Sequence, residues 1–206
     1  MVFLYAVTSG EQPFEKIIRN IKSIAPYVEL IQIREKKKTA YELNDLIDSI
    51  LKQGISPAKL IVNDRVDIAL VRGLRGVHLA YHSLSVKDVK KAFPHLYVGK
   101  SVHSLEEAKQ SEQDGADYVV FGHLYETSSK KGKKPRGVQE LAQIVEELSI
   151  PVIGIGGINI SNIGEVKETN AAGIALMSGL FQTEAPGETA RACWNLLNGS
   201  EHCERV

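Results

Sequence analysis

Residues 151–157, PVIGIGG, and residues 173–179, GIALMSG, decide the fold. Each runs through β-favouring apolar residues into a glycine-bearing turn, and one strand-helix unit separates them. An open doubly wound sheet also alternates strands and helices, but it keeps its glycine fingerprint in the first strand-helix turn. Here that first turn reads TSGEQP from Thr8. Glycine-rich turns after the seventh and eighth strands are where a (β/α)8 barrel builds a phosphate cradle. Working back along the chain, six more short apolar runs precede them. They are VFLYAVT from 2, VELIQIRE from 28, KLIVND from 59, GVHLA from 76, YVGKSVH from 97 and YVVFGHL from 118. They are near-continuous rather than alternating, as in parallel strands covered on both faces. Eight units over 206 residues give roughly 26 residues each, at the small end for this architecture. The expectation is an α/β protein, a single (β/α)8 TIM barrel over residues 1–206, with a poorly ordered tail from about residue 199.

The intervening stretches read as helices. PFEKIIRNIKSI, AYELNDLIDSILKQG and SLEEAKQSEQDG are amphipathic, and GVQELAQIVEELS carries Val138, Leu141, Ile144, Val145 and Leu148 at helical spacing. Gly54 and Gly115 sit where C-terminal caps belong, and Ser104 with Glu107 has the spacing of a capping box. Lys+Arg and Asp+Glu balance at 25 each, so no overall field draws the chain to nucleic acid or an anionic membrane. The two cysteines, Cys193 and Cys203, have no metal or disulfide-framework spacing. No apolar stretch approaches membrane-spanning length and the N-terminus lacks a basic leader. A cytoplasmic protein without nucleic-acid or membrane partners is expected. Oligomeric state stays open, with a homodimer as one assembly such a barrel could form.

The active site of this fold lies at the C-terminal ends of the strands, and those ends are polar. They would bring Gln32, Arg34, Lys36, Asn63, Ser101, His123, Thr127, Ser129, Lys130, Gly157, Ser178 and Gly179 to one rim. Gln32, Arg34 and Lys36 share strand parity, and a guanidinium with an ammonium suits phosphate or carboxylate. Gly157, Ser178 and Gly179 suit an anion cradle made of backbone N–H groups. SSKKGKKPR from 128 reads as a basic loop. Among six histidines, His123 ends a core strand just before hydroxyls and lysines, which suits proton transfer. No second histidine or carboxylate has metal-ligand spacing to it, so no metal or cofactor is expected there.

In order along the chain, QIREK, VNDRVDIAL, GVHL, SVHS, GADYVVFG, TSSK, PVIGIGGI and GIALMSG resemble the thiamine phosphate synthase superfamily. The resemblance implies a barrel acting on a thiazole phosphate. It has two branches. The synthase joins a pyrimidine diphosphate to the thiazole phosphate with Mg²⁺, held by the aspartate of its ND motif and by one in a GQED-like turn. This chain keeps Asp64, but AYHS puts Ser83 at the second position, and Gly122-His123 replaces the synthase's usual Gly-Pro. Those departures resemble the TenI-like branch and imply an isomerase, a thiazole tautomerase with His123 as its proton-transfer residue. The alternatives are the Mg²⁺-dependent synthase and a non-catalytic regulatory protein that binds a phosphate ligand.

Overall fold

The structure, a computed structural model, describes residues 2–127, 130 and 132–199. The expected Ser129 contact and the tail beyond residue 199 lie outside the described residues. Eight parallel strands close into a barrel in chain order. They are β1 (Phe3–Val7), β2 (Leu30–Ile33), β3 (Leu60–Asn63), β4 (Gly76–Leu79), β5 (Tyr97–Val102), β6 (Tyr118–Gly122), β7 (Val152–Ile155) and β8 (Gly173–Leu176). β8 pairs back on β1, with Tyr5 opposite Ala175, while on its other edge Tyr5 lies opposite Leu30.

Both faces of each strand are buried, which is why the runs look continuous in sequence. Tyr5, Leu30, Ile61, Tyr118, Val120, Ile153 and Ala175 fill the barrel interior. The alternate positions, among them Leu4, Ile31, Val62, Val98, Phe121 and Ile174, join the layer beneath the helices. Inside the barrel Tyr118 is fully buried, and β5 makes room for it with Gly99. A methyl group there would lie 2.0 Å from the Tyr118 ring carbon Cζ.

The surrounding helices are α1 (Phe14–Ile24), α2 (Ala40–Lys52), α3 (Val66–Val71), α4 (Val86–Ala92), α5 (Leu105–Gln113), α6 (Gly137–Glu147), α7 (Ile163–Glu168), α8 (Ser178–Phe181) and α9 (Pro186–Asn198). α1 has no side-chain cap, yet buries Ile17, Ile21 and Ile24. Such side chains contribute roughly 2 kcal/mol each on burial, against about 1 kcal/mol for a cap, so packing holds this helix. α2 has both: Leu43, Leu46, Ile47 and Ile50 face the barrel, and Thr39 with Glu42 closes a reciprocal capping box. At Ser104 the expected box forms only by half. The hydroxyl accepts from the Glu107 N–H, but the Glu107 carboxylate takes the N–H of His103 instead. Gly54 and Gly115 end their helices at φ 83° and 92°, as the sequence implies. Cys193 is a buried free thiol. Among the described residues no helix is long and apolar enough to cross a membrane.

Candidate active site

Barrel closure carries the eight strand ends to one rim, where three groups of residues meet. The first spans β1 to β6 and is a largely buried polar chain. Gln32, Asn63 and His78 are all nearly inaccessible. Gln32 Nε2 donates to Asn63 Oδ1 at 2.8 Å, and Asn63 Nδ2 donates to Asp64 Oδ2 at 2.5 Å. Behind them Tyr5 donates to Gln32 Oε1 at 3.0 Å and stands 2.9 Å from the Tyr118 hydroxyl. Tyr118 in turn lies 3.2 Å from His78 Nδ1, and His78 Nε2 lies 2.8 Å from Ser101 Oγ. Burial holds the His78 pKa down to about 4, so the ring is neutral. Burial also pushes both phenols well above their ordinary range, so each keeps its proton.

Asp64 closes this chain at the mouth. Its backbone lies in the left-handed region at φ 62°, which aspartate tolerates better than most residues and which recurs at functional sites. Its carboxylate also accepts from the Ser83 hydroxyl and lies 3.0 Å from His82 Nε2. Asp64 therefore ties the β3 end to the loop after β4. Beside β1 and β2, the Arg34 N–H donates to Thr8 Oγ1 at 2.8 Å, while the Arg34 side chain is half-buried and Lys36 is exposed. Between them Glu35 is 6% exposed and its Oε1 has no partner. Burial raises its pKa, opposed first by a hydrogen bond from Thr8.

The second group is the basic loop after β6. Lys130 Nζ lies 3.2 Å from His103 Nε2, and the other ring nitrogen of His103 faces Glu107 at 3.5 Å. Burial, then the neighbouring Lys133 and Arg136, lower the Lys130 pKa. Thr127, Lys130, Lys133 and Lys134 line a cavity of about 730 Å³ here, a basic pocket suited to an anion. His123 is 6% exposed and serves this loop. Its Nε2 donates to the Lys133 carbonyl at 3.1 Å, and its own carbonyl accepts from the Arg136 N–H at 3.0 Å. Its Nδ1 is buried without a partner. The ring thus grips the returning loop.

The third group is the pair of glycine turns. Gly156 and Gly157 have φ 100° and 70°. A methyl group on either would lie 2.4 Å from His123 Cβ or 2.6 Å from the Glu126 carbonyl, so the loop after β6 packs on them directly. The Gly157 carbonyl accepts from Asn162 Nδ2 at 3.0 Å. Ser178 and Gly179 open the single turn of α8, where the first N–H groups have no intrahelical acceptor. Among the described residues no group of three or more His, Cys, Asp or Glu stands ready to hold a metal ion.

The structure thus places Gln32, Asn63 and Ser101 in one hydrogen-bonded chain and Thr127 and Lys130 at the basic pocket. Tyr5, Tyr118 and Glu35 were not singled out by sequence. The phenols sit inside apolar runs and read as core, and EKKK reads as a solvated loop start. Strand parity held the signal, since Tyr5 and Gln32 both point inward.

Residues 4–180 match the family model described as thiamine monophosphate synthase. The chain is 39% identical over 174 residues to the thiamine-phosphate synthase of Chlorobium luteolum, covering 82% of this chain and 81% of that one. It is 36% identical over 200 residues to the thiamine-phosphate synthase of Chlorobium phaeobacteroides, covering 96% and 97%. The solved thiamine phosphate pyrophosphorylase of Pyrococcus furiosus superposes with a TM-score of 0.81 at 30% identity, covering 95% of each chain. These likenesses overturn the isomerase expectation. The two departures behind it are one metal-site residue and one strand-end residue, and relatives that match nearly end to end carry the name of a transferase. In this structure His123 is occupied in holding the basic loop.

Proposed function

Because this chain belongs to the thiamine monophosphate synthase family, we propose that it is a thiamine-phosphate synthase, joining a pyrimidine diphosphate to a thiazole phosphate. The observation that carries this reading is likeness over almost the whole length to proteins of that name. In the reaction, the bond from the activated pyrimidine carbon to the diphosphate oxygen breaks. The lone pair of the thiazole ring nitrogen forms the new bond, and pyrophosphate leaves with the electron pair. No proton need move, so the step calls for no general base.

The family's Mg²⁺ fits in one form. A single carboxylate, Asp64, stands at the mouth with the Ser83 hydroxyl on it. Mg²⁺ keeps several waters and commonly uses one or two carboxylates together with substrate phosphates. Asp64, backed by Ser83, would therefore hold the ion as a complex with the diphosphate. That ion would neutralise charge on the leaving group. The chain's own residues do the rest. Arg34 and Lys130 supply cations for the diphosphate. The turns at Gly157, Ser178 and Gly179 grip the phosphate of the thiazole, and Gln32 and Asn63 fix the mouth between them. Holding two substrates in line is itself a large part of the rate.

The test is to mix both substrates and follow pyrophosphate. Release that requires both substrates and Mg²⁺ is expected. No release with both present and the ion supplied overturns the reading.

A further inference from the structure

The polar chain through the barrel has a direction, and the proton count fixes it. An ionised carboxylate only accepts, so Asn63 turns its NH₂ to Asp64 and its carbonyl to Gln32. Gln32 must then donate through Nε2, which leaves Oε1 to accept the Tyr5 proton. A phenol has one proton. With that of Tyr5 engaged, Tyr118 must donate to Tyr5. With that of Tyr118 engaged in turn, its oxygen can only accept from His78 Nδ1. A neutral imidazole protonated at Nδ1 is bare at Nε2, so it takes the proton of Ser101. The links from Gln32 and Asn63 through Tyr5 and Tyr118 to His78 are buried groups with their partners in reach, and a broken link among them would strand a polar atom at a cost of about 1–3 kcal/mol.

We propose that Tyr118 and Tyr5 are positioning residues: they lock His78 as the Nδ1–H tautomer, so that Ser101 offers lone pairs, not a proton, to the barrel mouth. Ser101 is the last inward position of β5 and is half-buried. Its oxygen has no other hydrogen bond among the described residues. It is thereby set to receive a hydrogen-bond donor or an electron-poor carbon, which suits the pyrimidine partner and disfavours an anionic group at that spot. This assignment of Ser101 to the pyrimidine rests on the synthase reading; the tautomer of His78 does not.

The experiment is ring-¹⁵N NMR of the full chain with labelled histidine at neutral pH, the His78 signals being those lost in His78→Gln. Wild type should show a protonated Nδ1 and a bare Nε2. Tyr118→Phe removes the acceptor for Nδ1, and His78 should move to the Nε2–H form. If that variant does not fold, Tyr5→Phe frees the Tyr118 proton instead and should shift the tautomer in the same sense. In the pyrophosphate assay either variant should lower kcat about tenfold, the worth of one hydrogen bond at the reacting centre, with little change in the KM for thiazole phosphate. An Nε2–H or doubly protonated His78 in wild type overturns the relay. An Nδ1–H form that persists in the folded variants also overturns it. A shifted tautomer with unchanged kcat removes the positioning role. Should wild type release no pyrophosphate, the synthase reading fails while the tautomer measurement still decides the relay.

Discussion

Asp64 is the residue on which the rim turns. It takes hydrogen bonds from Asn63 and Ser83 and stands beside His82, and in the synthase reading it is the carboxylate that would hold the cation of the diphosphate. Asp64→Asn keeps the shape and removes the charge. Losing one electrostatic group at a site of developing charge commonly costs about 10²–10³-fold, and a fall of that size in kcat/KM for pyrophosphate release is expected. Activity within a few-fold of wild type at saturating Mg²⁺ would contradict the assignment. His78 supplies a pH dependence of stability. Its folded pKa of about 4 lies below the ordinary 6.5 because burial penalises the charged ring. Between those values the unfolded chain binds the proton and the folded one does not, so stability is full above pH 6.5 and is lost as pH falls towards 4. The loss attributable to this residue is about 3 kcal/mol. Glu35 works in the opposite sense, since its raised pKa favours the folded state in acid. The comparison is therefore between wild type and His78→Gln, by urea unfolding at pH 7, 5 and 4. The variant should show a shallower acid decline, and parallel curves would contradict the buried neutral ring.

At the scale of elements, the loop after β6 is held from two sides. His123 grips Lys133 and Arg136, and the turn after β7 approaches so closely that only glycine fits. Gly156→Ala puts a methyl group 2.4 Å from His123 Cβ at a φ of 100°. Overpacking of this kind costs typically about 1–3 kcal/mol, to be read as a lower urea midpoint at unchanged m-value. His123→Ala should leave the barrel folded but free the basic loop, so trypsin should cut after Lys133 or Arg136 faster than in wild type. Equal cleavage rates would contradict the clamp.

For the whole molecule, much of the architecture was legible because each strand is buried on both faces and each helix on one. The runs from 2, 28, 59, 76, 97, 118, 151 and 173 each contain a strand of the barrel, and the glycine turns at 156 and 178 separated the barrel from the open sheet. The site was legible in part. Gln32, Asn63 and Ser101 drew notice because polar residues at strand ends stand out against apolar runs, and the fold joins them in one hydrogen-bonded chain. Tyr5 and Tyr118 did not, because a phenol inside an apolar run reads as core until the closed barrel shows its hydroxyl facing another polar group. His123 drew notice because a histidine that ends a core strand before hydroxyls and lysines suits proton transfer, and the fold adds that its Nε2 engages the Lys133 carbonyl. The branch of the family was misjudged from Ser83 and His123 alone, whereas likeness across the whole chain gives these two positions their proper weight.

Transfer of the pyrimidine group demands that condensed product and pyrophosphate appear together. The most direct measurement is therefore a single reaction with both substrates and Mg²⁺, in which mass spectrometry counts the joined product and a phosphate assay counts pyrophosphate. The synthase account predicts equal amounts at every time point and neither when one substrate is withheld. Pyrophosphate without joined product, or no turnover of the mixed substrates at all, would contradict it.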